Sequence, residues 1–211
     1  YSSISPTLGQ NSLTAMAYAG VIALILISLF MILRYRVPGL VATIALIGQV
    51  GLSIAAITRY FAPFDSFTMT LPGIAGIILS IGMGVDANII TGERIKEEVR
   101  SGKSLDSAIR IAYKKAFSAI LDGNITNVFI AAVLMGAFGV PSSFFSKILN
   151  NTIFRMFGAT AEGFVYSFGF TLLAGVVLNF VMGVFASRLM VTSLSKFKCF
   201  KNRKLYGGNE K

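Results

Sequence analysis

Two carboxylates in this 211-residue chain stand where carboxylates are costly. Asp86 and Asp122 each interrupt a long apolar run. An acid inside a membrane-length segment costs roughly 2.5–3.5 kcal/mol on insertion scales and commonly marks an ion or proton path. Asp86 lies six residues before Gly92, at one end of its run, and Asp122 lies six residues after Ala116, at the matching end of the next. At about 1.5 Å per residue both sit roughly 9 Å deep. Consecutive spans run antiparallel, so equal depth would let the two acids face one another. Amides and hydroxyls gather at the same level: Asn88 beside the first acid, and Ser118, Asn124, Thr126 and Asn127 around the second. We expect Asp86, Asp122, Asn88, Asn124 and Thr126 to form a proton or ion relay. The plainer alternative holds each acid on neighbouring Asn, Thr or backbone donors and moves nothing. It fits Asp122 better, because that residue is nearer a helix start, where the dipole favours an acid.

The elements that position these residues follow from hydropathy. Apolar runs occupy 14–33, 38–58, 71–91, 116–138 and 164–187, each about as long as the roughly 20 residues a helix needs to cross a bilayer. Together they hold 109 residues but only two of the 28 charged side chains, so charge is excluded from them. Backbone groups in lipid must pair within their own segment, which makes each run a helix. The expectation is an all-α, polytopic membrane bundle of five transmembrane helices. Residues 1–13 lead in, 14–190 form the membrane domain and 191–211 form a basic tail.

Net charge is +10, which raises the question of nucleic acid. Placement answers it. Five spans put the 34–37 turn, the 92–115 loop and the tail from Arg188 on one side, with 16 of the 19 Lys and Arg residues. The 59–70 and 139–162 loops share the other side with the N-terminus. Lys/Arg excess marks the cytoplasmic face, so the N-terminus is expected outside and the C-terminus inside. The charge serves topology and contact with anionic lipids, and no nucleic-acid partner is expected. With no His and one Cys, neither a metal site, a disulfide framework nor an enzyme's nucleophile–base set is expected, and no cofactor is called for. The chain starts at Tyr1 with no signal before its first span, and is expected to be part of something longer.

Two loops have amphipathic character. Gly102 is placed to stop the third helix and Ser104 to start a short one, with Leu105, Ala108, Ile109 and Ala112 on one face and lysines and arginines at its border. That pattern predicts a helix lying on the membrane surface. Phenylalanines among polar residues in 139–162 predict a second interfacial helix. Small residues mark the helix contacts: Gly76, Ser80, Gly84 and Asn88 on the third span, and Gly163, Ser167, Thr171, Gly175, Asn179, Gly183 and Ser187 on the fifth, all in four-residue steps. Such stripes let backbones approach closely where lipid gives no hydrophobic drive.

The stretch around Asp86, LPGIAGIILSIGMGVDANIITGERIKEE at 71–98, resembles the hallmark segment of SecD, a membrane subunit of the bacterial protein-export machinery. GKSLDSAIRIAYKKAFSAILDGNITN at 102–127 resembles the next family block, and ISPTLGQNS at 4–12 the approach to the first retained helix. Val85-Asp86-Ala87-Asn88 is closer to SecD than to its sister SecF. The resemblance implies half of a pseudo-symmetric, twelve-helix assembly with a SecF-like subunit, similar to resistance–nodulation–division transporters. It implies work beside the Sec translocon channel on exported unfolded polypeptides, driven by the proton or sodium gradient. The chain would hold helices two to six without the large outer domain. Family proton-path positions fall on Asp86, Asp122, Asn124 and Thr126; the essential intramembrane basic residue resembles a SecF feature and is absent here. Gly123 and Asn127 stand where the family more often has Ala and Thr. The competing readings are a proton-coupled small-molecule or lipid exporter half of the same superfamily, and a passive membrane scaffold.

Overall fold

A computed structural model describes residues 6–57, 71–138 and 164–208. The interfacial helix expected in 139–162, the 59–70 loop and Gly163 lie outside the described residues. The helices are α1 (Pro6–Tyr35), α2 (Val37–Ile57), α3 (Leu71–Arg100), α4 (Leu105–Phe138), α5 (Phe164–Asn179) and α6 (Ser187–Lys196). A π-helical stretch, Phe180–Ala186, joins α5 to α6 without a break, so these form one long fifth rod. Short 3-10 turns at Lys198–Phe200 and Arg203–Tyr206 follow. No strand occurs among the described residues, and five rods are long and apolar enough to cross a membrane. The chain is an all-α helical bundle.

α3 packs against each of the other four rods and is the centre of the bundle. Its small-residue stripe meets that of α5 in parallel. A Cβ on Gly76 would overlap the Thr171 hydroxyl, and one on Gly175 would overlap Ser80. Further along, Asn179 Nδ2 donates across the interface to the Met83 carbonyl at 3.4 Å, and Gly183 faces Asn88. Partners advance in step along both helices, which is what parallel helices with matching four-residue stripes must do. Beyond Gly183 the wider π turn changes the helical phase. Ser187 therefore turns to α4, where its hydroxyl lies 3.0 Å from that of Tyr113.

The surface helix expected near 105–115 is corrected. α4 runs unbroken from Leu105 through the fourth apolar run, and Leu105, Ala108, Ile109 and Ala112 are buried inside the bundle. They pack with Val37, Val41, Ile95, Val99, Val191 and Tyr206. The apolar stripe was real; another part of the chain covers it instead of lipid. Both turn signals hold. α3 stops at Arg100, with Gly102 at φ 89°, and the Ala108 N–H bonds the Ser104 carbonyl at 2.8 Å. The turn is clamped by Glu98, whose buried carboxylate takes Lys103 and Lys115, the latter at 2.5 Å.

The three basic segments meet at one end of the bundle. Arg36 donates to the Lys204 carbonyl at 2.7 Å, Arg100 to the Gly207 carbonyl at 3.0 Å, and Arg203 to the Lys103 carbonyl. The tail is thus anchored, with Tyr206 in the core. Burial pushes the Tyr206 hydroxyl up to about 12, and the charge of Asp106 adds to the rise.

Candidate functional site

Asp86 is exposed on α3 and lines an open groove of about 180 Å³ between α3 and α4. Met83, Ala87 and Ile90 accompany it from α3; Ala119, Ile120, Gly123, Asn124 and Asn127 form the facing wall. Nothing lies within 4 Å of where a Gly123 Cβ would stand, so the groove is open over that position. Asn124 is buried in this wall. Its Nδ2 donates to the Ile120 carbonyl at 2.8 Å, while its Oδ1 is buried with no partner among the described residues. A buried amide oxygen left unpaired costs free energy comparable to a lost hydrogen bond. The groove therefore offers an exposed carboxylate, with the buried Asn124 amide in the wall across from it, a setting that suits a proton or a hydrated ion at Asp86.

The other residues expected in the relay lie elsewhere. Two residues on a helix stand about 200° apart, so Asp122 points away from the side of α4 that carries Asn124. Asp122 and Thr126 are exposed and do not line the groove. The expectation that Asp86 and Asp122 face one another across antiparallel helices is not met: their depth matches and their direction does not. Asn88 is likewise turned from Asp86. It is buried toward the fifth rod, and its Nδ2 donates to the Gly84 carbonyl of its own helix at 2.9 Å. The five residues thus fall into three places: Asp86 with Asn124 in the groove, Asn88 at the α3–α5 contact, and Asp122 with Thr126 on the outer flank of α4.

Four of the five expected packing residues lie between α3 and the fifth rod. Gly76 and Gly175 are the close contacts of α3 with α5, Asn179 makes the interhelical bond, and Gly183 meets Asn88 and Asn179. Gly84 has a different partner, because the space beyond it is filled by the amide of Gln49 from α2. Gln49 is fully buried and donates through Nε2 to the Ser80 carbonyl at 3.1 Å. Sequence reasoning passed over it, although a lone carboxamide in an apolar run was signal enough. The π stretch carried no comparable signal; it contains Gly183, which faces Asn88, and such bulges frequently mark functional sites.

The family model described as "Protein export membrane protein SecD/SecF, C-terminal" matches residues 1–196. A protein translocase subunit SecD of Leptotrichia buccalis is 40% identical over 203 residues, covering 96% of this chain and 43% of the relative. That of Alicyclobacillus acidocaldarius is 39% identical over 205 residues, covering 97% and 41%. A protein translocase subunit SecDF of Bacillus subtilis is 36% identical over 210 residues, covering 99% of this chain and 25% of the relative. The chain spans less than half the length of these relatives. Five apolar rods, matched small-residue stripes and a family match along almost the whole chain agree: it belongs to the SecD/SecF C-terminal family of protein-export membrane proteins.

Proposed function

We propose that this chain is the membrane part of a SecD-type protein translocase subunit, that Asp86 is its proton- or sodium-binding group, and that a SecF-like subunit closes the groove around it. The observation that carries the reading is the position of Asp86, an acid exposed in an open groove within an apolar span. Lipid is a poor occupant for a wall bearing Asp86 and Asn124. A second helical subunit carrying polar or basic groups complements it. The exposed Asp122 and Thr126 lie on the adjoining flank of α4, where such a subunit would reach them next.

On this reading the basic end faces the cytoplasm, following the Lys/Arg rule. Protonation and release at Asp86 bias the packing of α3 against α4 and α5, and the motion reaches the outer face, where exported, unfolded chains leave the translocon channel late in their passage. Small-residue contacts at α3–α5 suit sliding, because their surfaces are smooth and their bonds few. Vesicles carrying the complete SecD-containing complex and a stalled export intermediate test the reading. An imposed proton or sodium gradient is expected to speed completion of translocation. Equal rates with either gradient and with none would overturn it.

A further inference from the structure

A second cavity, of about 330 Å³, opens at the basic end between the α1–α2 turn, the last turns of α3 and the docked tail. Five cationic side chains line it: Arg34, Arg36, Lys96, Arg100 and Lys204. Among the described residues the acid engaged with them is Glu93, which takes Arg34 at 3.2 Å and Lys96 at 3.6 Å. Even with Lys204 left aside, four cations stand against that carboxylate among the described residues, a positive excess in a cleft of ligand-sized volume. We propose that this cleft binds the phosphate of an anionic lipid headgroup.

The cleft is built rather than incidental. Arg36 is the single residue between α1 and α2 and holds φ at 54°, a left-handed conformation that side-chain-bearing residues adopt rarely. Glycine would relieve that position, yet an arginine occupies it. Its guanidinium reaches across the cleft to the Lys204 carbonyl, and Arg100 reaches the Gly207 carbonyl from the other wall. Both arginines retain further N–H donors for an anion. Gly207, at φ 81°, turns the tail back so closely that a Cβ there would stand 2.7 Å from the Lys96 stem. The strained Arg36 thus stands on the wall of a polar pocket, a setting in which such outliers cluster.

The level of the cleft selects the source of the phosphate. Leu33 lies on its rim and is 72% exposed, and Leu40, just past the turn, is 44% exposed. These are the last and first lipid-facing residues of the two spans. Cations stacked directly on an acyl-facing rim match a headgroup above its own chains, whereas a free phosphate has no use for that rim. The anionic leaflet attracts such basic clusters. The inference rests on the bundle's membrane setting and not on the role of Asp86.

The test uses the complete complex, extracted from nanodiscs of phosphatidylglycerol and phosphatidylcholine, with retained lipid counted by native mass spectrometry. Phosphatidylglycerol is expected to be retained over phosphatidylcholine. The double variant Lys96→Gln/Arg100→Gln is expected to weaken retention about thirtyfold. Lys114→Gln/Lys201→Gln has the same net charge outside the cleft and is expected to leave retention intact, as is the charge-keeping Lys96→Arg. Equal loss in both double variants would overturn the proposal, since it would reduce the effect to surface charge. Displacement by inorganic phosphate without selective lipid retention would overturn it as well, by assigning the cleft to a free anion. Unchanged thermal unfolding of the first double variant separates lost binding from lost folding; a variant that does not fold is replaced by Arg34→Gln, for which a roughly fivefold loss is expected, one charge being removed instead of two.

Discussion

Asp122 and Asn124 stand two residues apart on α4 and point to opposite sides of it. Asn124 joins Asp86 in the α3–α4 groove, and Asp122 faces outward. The arrangement divides acids that equal depth alone would have paired, and it changes which residues can act on one proton.

Crosslinking checks this division. In a Cys199→Ser background, which removes the exposed native thiol, Asp86→Cys with Gly123→Cys is expected to join readily through a short bismaleimide. Asp86→Cys with Asp122→Cys is expected to react far less. Equal yields from the two pairs would restore the facing arrangement.

The α3–α5 contact is expected to reject side chains. Gly175→Leu must displace Ser80, and overpacking of this kind costs about 1–3 kcal/mol. Thermal unfolding in detergent should register that loss. Gly82→Ala has no atom within 4 Å of its new methyl and should be neutral or slightly stabilising. Similar losses from both would show that the stripe is not the contact.

The Glu98 clamp is expected to be asymmetric. Its carboxylate is buried while Lys103 and Lys115 are about half exposed. Removing both lysines strands a buried charge, whereas removing the acid frees two cations that water can reach. Lys103→Met/Lys115→Met should therefore unfold at a lower temperature than Glu98→Gln, and the reverse order would contradict the clamp.

How much of this was legible beforehand follows from what lipid dictates. The five rods and both stripes could be read because a bilayer fixes span length and requires close-packed backbones where helices touch; Gly76, Gly175, Asn179 and Gly183 are where the pattern put them. Depth was legible too, since it is a count of residues along an axis. Azimuth was not. The direction of Asp122 depends on which neighbour α4 packs against, and no local pattern states that. The same gap misled the reading of Leu105, Ala108, Ile109 and Ala112, because an apolar face does not say what covers it. The π stretch was invisible, being a choice of hydrogen-bond register made by tertiary packing.

Tyr206 gives the docked tail a pH limit. Its hydroxyl is raised from 10 to about 12, so the folded state holds the proton more tightly than the unfolded one. The contribution is complete below pH 10 and is lost as pH rises toward 12. Protection at 203–208, corrected for the base-catalysed intrinsic exchange rate at each pH, should fall over that window in the wild type and hold in Tyr206→Phe. A matching fall in both would remove Tyr206 as the cause.

The central claim is that Asp86 is the group through which an ion gradient does work. The most direct measurement is gradient-stimulated export by vesicles carrying the complete complex with Asp86→Asn, beside Asp86→Glu, Asp122→Asn and wild type at equal assembly. The account predicts that Asp86→Asn abolishes the stimulation, Asp86→Glu keeps part of it, and Asp122→Asn keeps most of it. Full stimulation in Asp86→Asn would contradict the account.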